Sequence, residues 1–356
     1  MSILETYAVW NNKGGVGKST ITFHLASRYA EQNPNKKILV IDLCPQANVS
    51  MMLLGGGTDG EERVLDYCKA TAPKTIVGYL SHVIAAGPGA SLPSASNWLI
   101  PIQSHNSQMP KNLFLICGDG NLEPMAPLIS DRAAAPPLTP SIDPWSWVHL
   151  VVRSFIENLG KSDEANWMVF IDTNPSFSIY TEIAVCSATK MIVPVNADDS
   201  SRVAINAMFT LLHGSTPPHP IYGKYTFAEK AKARGLNIPQ VHLIVGNRLT
   251  QHEGPATAFE AMTDATAASL YDAYKADYSR FSQTTKKIKD VKTFRATYSV
   301  PLRDFNTAGV VAAHLGAPLS QLKERYYTVH GTEVRVDARR VTDCEEAIDL
   351  VLKRLT

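Results

Sequence analysis

The sequence predicts an α/β fold, a mostly parallel, twisted sheet with helices on both faces. Three observations point there. Short, almost continuous apolar runs alternate with amphipathic stretches, the pattern of strands buried on both faces and joined by crossover helices. A glycine-rich loop lies between the first apolar run and the first amphipathic stretch. Two later runs lead into Asp42 and Asp172, and open α/β sheets bind ligands beyond the carboxyl ends of their strands.

Taken in order, the strand candidates are Tyr7–Asn11, Lys37–Leu43, Leu113–Cys117, Trp167–Asp172, Met191–Val195 and His242–Asn247. The helix candidates include Ile21–Ala30, Trp145–Leu159, Ile179–Ala188, Val203–Leu212 and Ala256–Tyr274. Residues 55–112 carry Gly-Gly-Gly-Thr-Asp-Gly, Gly-Pro-Gly and Pro-Ser clusters, and residues 126–144 are rich in Ala and Pro. Both regions read as loop-rich insertions with short helices, laid over one domain that spans residues 1–356. A final amphipathic helix is expected over Glu345–Leu355. Asp343, Glu345 and Glu346 open it, whereas a membrane-surface helix carries a basic polar face, so it reads as packed on the domain.

Composition excludes several classes. Net charge is +1 over 356 residues, so a nucleic-acid surface has to be a local patch. The five cysteines, Cys44, Cys68, Cys117, Cys186 and Cys344, form no C-x-x-C pair, which argues against a zinc site, an iron–sulfur cluster or a disulfide framework. No basic-then-apolar leader opens the chain and no apolar run approaches ~18 residues. A cytoplasmic protein without a transmembrane segment is expected.

The loop Asn11-Asn12-Lys13-Gly14-Gly15-Val16-Gly17-Lys18-Ser19-Thr20 carries the most chemistry. Three glycines let the backbone curl around an anion with its N–H groups inward. The helix that follows presents unpaired N–H groups to the same anion. Lys18 is placed to reach the β- and γ-phosphates of a nucleotide, and the Ser19 hydroxyl to ligate Mg²⁺. Asn12 replaces the first glycine of the usual G-x-x-x-x-G-K-[ST] pattern, and Lys13 is a second lysine that one loop can hardly aim at the same phosphates. With Lys13, the loop resembles the deviant Walker A motif, K-G-G-x-G-K-[ST], of ParA and MinD type P-loop ATPases. The resemblance implies ATP and Mg²⁺ as ligands, residues 13–20 around the nucleotide, and a sandwich homodimer in the ATP state, with Lys13 reaching the partner's nucleotide.

Further segments carry the resemblance from about Tyr7 to Pro318. Ile41 to Ser50 resembles the family's D-x-D-P-Q-x-N-x-[ST] switch, matching at Asp42, Pro45, Gln46, Asn48 and Ser50. Its second aspartate, which positions the attacking water, is Cys44 here. A neutral thiol is a weak acceptor for water. Three readings of Cys44 stand side by side: slow hydrolysis, another group such as Asp42 or Gln46 orienting the water, or nucleotide binding without turnover. Phe170-Ile171-Asp172 fits the Walker B pattern, with Asp172 holding the metal beside Ser19 and Asp42. The resemblance gives Asn247, in Val245-Gly246-Asn247-Arg248, the adenine edge, with Arg248 beside it. Val300-Pro301-Leu302-Arg303 resembles the loop over the base, through Pro301.

A basic segment spans residues 275–303. Lys286, Lys287, Lys289, Lys292 and Arg295 are its candidate DNA contacts, with Tyr278, Phe281, Phe294 and Tyr298 interleaved. Three readings stand: a solvated charged face, non-specific DNA binding through phosphates, which the resemblance favours, and a contact for an acidic partner. The whole then implies a ParA-like ATPase for plasmid or chromosome segregation, nucleoid-associated, with a ParB-like DNA-bound partner. The alternatives are a MinD-like positioning switch on a membrane or protein cargo, and a non-hydrolysing scaffold. A nitrogenase-reductase-like reading lacks its cluster cysteines.

Overall fold

In the computed structural model, residues 3–137, 142–196, 198–215, 217–247, 256–282, 284, 286–302 and 306–355 are described. The strands are β1 (Ile3–Val9), β2 (Lys37–Leu43), β3 (Ile100–Pro101), β4 (Leu113–Ile116), β5 (Trp167–Thr173), β6 (Lys190–Asn196), β7 (Gln240–Asn247), β8 (Ser299–Pro301), β9 (Arg325–Val329) and β10 (Thr332–Val336). The helices in the first half are α1 (Lys18–Gln32), α2 (Asn48–Leu53), α3 (Gly57–Lys69), α4 (Ile76–Ala86), α5 (Leu122–Ala134), α6 (Pro144–His149) and α7 (Val151–Ser162). Those in the second half are α8 (Ile179–Ser187), α9 (Asp199–His213), α10 (Phe227–Ala233), α11 (Ala256–Ala276), α12 (Val291–Tyr298), α13 (Asn306–Leu315) and α14 (Ala338–Leu352).

Eight strands form one sheet in the order β3-β4-β2-β5-β1-β6-β7-β8. All its pairings are parallel except that of β3 with β4 at the edge. The alternation of side chains along β1 feeds two cores. Ala8 packs with the layer that contains α4 to α12, whereas Tyr7 and Val9 pack with the layer of α1, α13 and α14. Both faces are apolar because both are covered, which is why these strands read as continuous apolar runs. The strand order reverses around β1, with β5 on one side and β6 on the other. That crevice is where a sheet of this kind takes its ligand.

Several expectations change. The region 55–112 holds α3 and α4, where helices were expected only as short pieces, and Thr75 caps α4 by accepting from the Gly78 N–H. Residues 126–134 belong to α5, which holds Pro127 within it. The stretch Trp145–Leu159 is two helices that meet at Leu150. The last helix starts at Ala338, seven residues before the expected Glu345, and Asp337 caps it. The β9–β10 hairpin had no counterpart among the expected elements. Its two-residue turn uses His330 and Gly331, at φ 46 and 79, the left-handed geometry that such hairpin turns need. Among the described residues no helix is long and apolar enough to cross a membrane.

Candidate nucleotide-binding site

The glycine-rich loop leaves the carboxyl end of β1 and is anchored at once. Asn11 is fully buried. Its amide donates to the Pro194 carbonyl at 2.7 Å, and its Oδ1 accepts from the Lys13 N–H at 3.0 Å. Gly15 and Gly17 adopt φ values of 70 and 85, which an L side chain would strain. A Cβ added at Gly14 or Gly15 meets nothing within 4 Å, so the inner wall of the loop stands open. The first turn of α1 holds no acidic residue, and no side chain caps it. Its leading N–H groups are therefore left for an anion.

Lys18 lies under this loop at 6% exposure. Its Nζ donates to the carbonyls of Lys13, at 2.9 Å, and Asn11, at 3.2 Å. Burial pushes its ammonium down to about 8, against a smaller opposing pull from Asp172. Two neutral carbonyls do not replace the water that the charge has lost, and a phosphate would. The Ser19 hydroxyl donates to Asp172 Oδ2 at 2.6 Å, and the Thr22 hydroxyl reaches Asp172 Oδ1 at 3.3 Å.

Asp42 and Asp172 are register partners on the adjacent strands β2 and β5, and both are fully buried. Burial raises both carboxyls above their usual range, and at Asp172 the Asp42 charge adds to the rise. Asp42 is held on both oxygens. Its Oδ1 accepts from the Cys44 N–H at 3.0 Å, and its Oδ2 accepts from the Ser50 N–H and hydroxyl at 3.1 and 2.7 Å. Ser50 Oγ in turn accepts from the Gly118 N–H at 2.8 Å. Two buried carboxylates beside a serine hydroxyl are hard oxygen donors, so the set suits Mg²⁺.

Cys44 is 3% exposed. Burial, then the charges of Asp42 and Asp172, push its thiol up to about 12. At neutral pH it is a thiol, neither a base nor a nucleophile. Lys13 points elsewhere. Its Nζ forms an ion pair with Asp198, with Ser201 Oγ 3.4 Å away. Burial works to raise the Asp198 carboxyl, but the bonds from Lys13, Ser200 and Ser201 outweigh it and hold the group at about 2.

The site thus brings together Lys18, Ser19, Asp42, Cys44 and Asp172, with Gly14, Gly15, Val16, Gly17 and Thr20 on the loop. Pro301 lies in β8 beside β7, where it pairs with Gly246. Asn247 ends β7, but its side chain and Arg248 lie outside the described residues. Sequence reasoning missed Thr22, Asp198 and Gly118, and gave Asn11 no role beyond its place at the head of the loop. Gly118 had a legible signal, Gly-Asp-Gly directly after a strand. A Cβ there would stand 2.8 Å from the Asp42 carboxyl.

The model of the CobQ/CobB/MinD/ParA nucleotide-binding domain matches residues 7–348. The chain belongs to this family. Among solved structures, apo McdA of Cyanothece is similar with a TM-score of 0.62 at 13% identity, over 99% of this chain and 100% of that one. The ATP complex of a Cyanothece McdA variant, in which one aspartate is replaced by alanine, gives 0.59 at 15% identity, over 100% and 97%. At such identities the likeness is one of fold. An uncharacterized protein of Pseudomonas putida KT2440 is 41% identical over 58 residues, which is 16% of this chain and a fifth, 20%, of that protein. The family's nucleotide-binding fold and the loop geometry described above agree.

The basic segment is only partly what its sequence suggested. Lys286, Lys287, Lys289, Lys292 and Arg295 are exposed. Phe281, Phe294 and Tyr298 are not available to a nucleic acid. They are buried with Tyr274, ring centroids 5.1–6.0 Å apart. Tyr278 is exposed, and Lys287 Nζ lies 5.0 Å from its ring centroid. Lys275 and Arg280 are paired with Asp272 and Asp277.

Proposed function

We propose that the protein is a ParA-type ATPase switch that binds ATP with Mg²⁺ and turns it over slowly. The observation that carries this reading is the convergence of Ser19, Asp42, Asp172 and Lys18 beneath an open glycine loop, with a neutral thiol at Cys44. Lys18 lies along the β- and γ-phosphates, and the N–H groups of residues 14–20 surround them. Ser19, Asp42 and Asp172 hold Mg²⁺, which supplies charge neutralisation at the phosphates. Asp42 already accepts three hydrogen bonds, from Ser50 and the Cys44 N–H, and Mg²⁺ would take the acceptor site that is left on Oδ1. Asp42 is therefore a poor substitute for the missing carboxylate, and slow turnover follows. Asn247, Arg248 and Pro301 frame the base.

In the ATP state two chains close into a homodimer, and Lys13 exchanges Asp198 for the partner's nucleotide. The dimer binds DNA non-specifically through Lys286, Lys287, Lys289, Lys292 and Arg295. The task is segregation of a plasmid or chromosome in the cytoplasm, on the nucleoid, with a ParB-like partner. Cys44 also favours a second reading, a scaffold that binds ATP and never hydrolyses it. Phosphate release, measured with Mg-ATP in the presence and absence of DNA, separates the two. Turnover on the scale of minutes to hours supports the switch. No release above a Lys18→Ala control supports the scaffold. Failure to bind ATP at all overturns both.

A further inference from the structure

The segment between α9 and α10 stands apart from the nucleotide site and from the basic segment. Helix α9 begins beside Asp198 and carries the chain away over 15 residues, about 22 Å at 1.5 Å per residue. The described residues 217–226 that follow are held by their own hydrogen bonds. The Gly223 N–H donates to the His219 carbonyl at 2.9 Å, and the Tyr225 N–H donates to the Tyr222 carbonyl at 2.9 Å. The Thr226 hydroxyl donates to the Gly223 carbonyl at 2.7 Å. A Cβ at Gly223 would lie 2.9 Å from that of Pro218, so the turn is as tight as a glycine permits. Phe227, buried against Trp145 and Phe177, anchors its far side.

This hydrogen-bonded turn exposes apolar groups. Ile221 is 76% exposed, the most of any large hydrophobic residue among those described, with Tyr222 at 57% and Tyr225 at 63%. No Asp, Glu, Lys or Arg occurs from 214 to 223. Cations follow: Lys224, whose Nζ sits 5.0 Å from the Tyr225 ring centroid, then Lys230, Lys232 and Arg234. Glu229 alone opposes them within the segment, and Asp143 pairs with Arg234 at 2.7 Å. One aliphatic and two tyrosine side chains exposed on a single turn, followed in sequence by lysines, match the chemistry of a lipid headgroup layer. They suit base stacking less, because the Tyr222 ring already stacks on His219 at 3.8 Å.

We infer that the loop carrying Ile221, Tyr222 and Tyr225 is a docking element for an anionic lipid bilayer surface. Ile221 enters the apolar boundary, the two tyrosines sit at headgroup depth, and Lys224, Lys230 and Lys232 meet anionic headgroups. The contact is weak and salt-sensitive, since one short loop supplies it. It is independent of the nucleotide reading.

The test uses the full chain and vesicles of phosphatidylcholine with or without phosphatidylglycerol, in co-sedimentation. Pelleting with the anionic vesicles, and little with the neutral ones, is expected. Ile221→Asp should weaken partitioning by about tenfold or more, the loss of one buried aliphatic side chain. Ile221→Trp should strengthen it, and Lys230→Glu with Lys232→Glu should remove its dependence on phosphatidylglycerol. Ile221 and Lys232 are exposed and Lys230 is half-buried, and circular dichroism with a nucleotide-binding measurement checks that each variant is folded. The inference is overturned if the wild type pellets with neither vesicle. It is also overturned if Ile221→Asp and Ile221→Trp pellet like the wild type, or if the variants lose DNA binding and leave vesicle binding unchanged.

Discussion

Raising the pH from 7 to 9.5 should strip the metal-free protein of its affinity for a triphosphate, and Lys18 sets the scale. Its ammonium is held at about 8 by burial under the loop. A phosphate chain bound there restores the favourable surroundings of the charge, so the bound form holds its proton more tightly. Binding then selects the protonated lysine. About nine-tenths of the free protein carries it at pH 7 and about one-tenth at pH 9, so affinity falls about tenfold per unit above 8, about 1.4 kcal/mol each. The fall ends at the raised value of the bound form. Stability runs the other way. The folded value lies below the unfolded one, so between about 8 and 10.5 the unfolded chain binds more protons and the contribution of Lys18 to stability rises with pH. Lost binding is thereby separable from lost fold. The assay is titration with a fluorescent ATP analogue in EDTA, which keeps metal binding by Asp42 and Asp172 out of the curve. Lys18→Arg should bind with a much flatter profile, because arginine stays charged throughout and only the ionisation of Asp172, raised by burial to about 7, is left to lower affinity. A flat wild-type profile, or an equal fall in Lys18→Arg, would refute the reasoning.

Four other outcomes follow from the site. Cys44→Asp should raise phosphate release with Mg-ATP by about tenfold or more, and lower metal-free stability by about 1–3 kcal/mol through like-charge crowding, recovered on adding Mg²⁺. Lys13→Ala should keep nucleotide affinity within about threefold while light scattering shows no ATP-dependent dimer, since its amine faces Asp198 and not the loop interior. The combined changes Lys286→Glu, Lys287→Glu and Lys289→Glu should abolish DNA retention in a gel shift, and wild-type retention should fall steeply between low and physiological salt. Gly118→Ala should cost about 1–3 kcal/mol in a denaturant titration and weaken Mg²⁺ binding, because its Cβ would press on the Asp42 carboxyl.

Much of the fold is legible because burial on both faces leaves a simple signature. Strands β2, β5 and β6 appear as apolar runs with almost their observed bounds. The loop between β1 and α1 is legible because its chemistry restricts residue type at several consecutive positions. What escapes is set by distant partners. Nothing local marks Asp198 as the anion that receives Lys13, since the two residues are 185 apart in sequence. The aromatic residues of the basic segment look like stacking groups until Tyr274, Phe281, Phe294 and Tyr298 are seen to share one cluster. The β9–β10 hairpin was readable, from alternating Tyr, Thr and Val around His330-Gly331, but it lies beyond the part of the chain where the family motifs occur. The helices within 55–112 were hidden by their glycines. Gly56, at φ 69 in the break between α2 and α3, approaches the His314 backbone, and Gly60, inside α3, approaches that of Met51.

Cys44 fits the electrostatics of its surroundings better than the family's aspartate does when no metal is bound. Asp42 and Asp172 already share a dry pocket on neighbouring strands, and burial pushes both toward the neutral acid. Lys18 sits near enough to offset part of that charge, yet burial weakens its own. A third carboxylate at position 44 would add repulsion that only a divalent cation relieves, tying the fold of the switch to metal and nucleotide. A thiol pushed up to about 12 adds no charge at all. The Cys44 N–H still donates to Asp42, so the turn that positions this carboxylate survives the replacement. Under the proposed reading, what the replacement removes is an acceptor for water, and not the residues that would hold phosphate and metal. On that reading, binding and turnover rest on different residues of one site, which is the property a long-lived nucleotide switch requires.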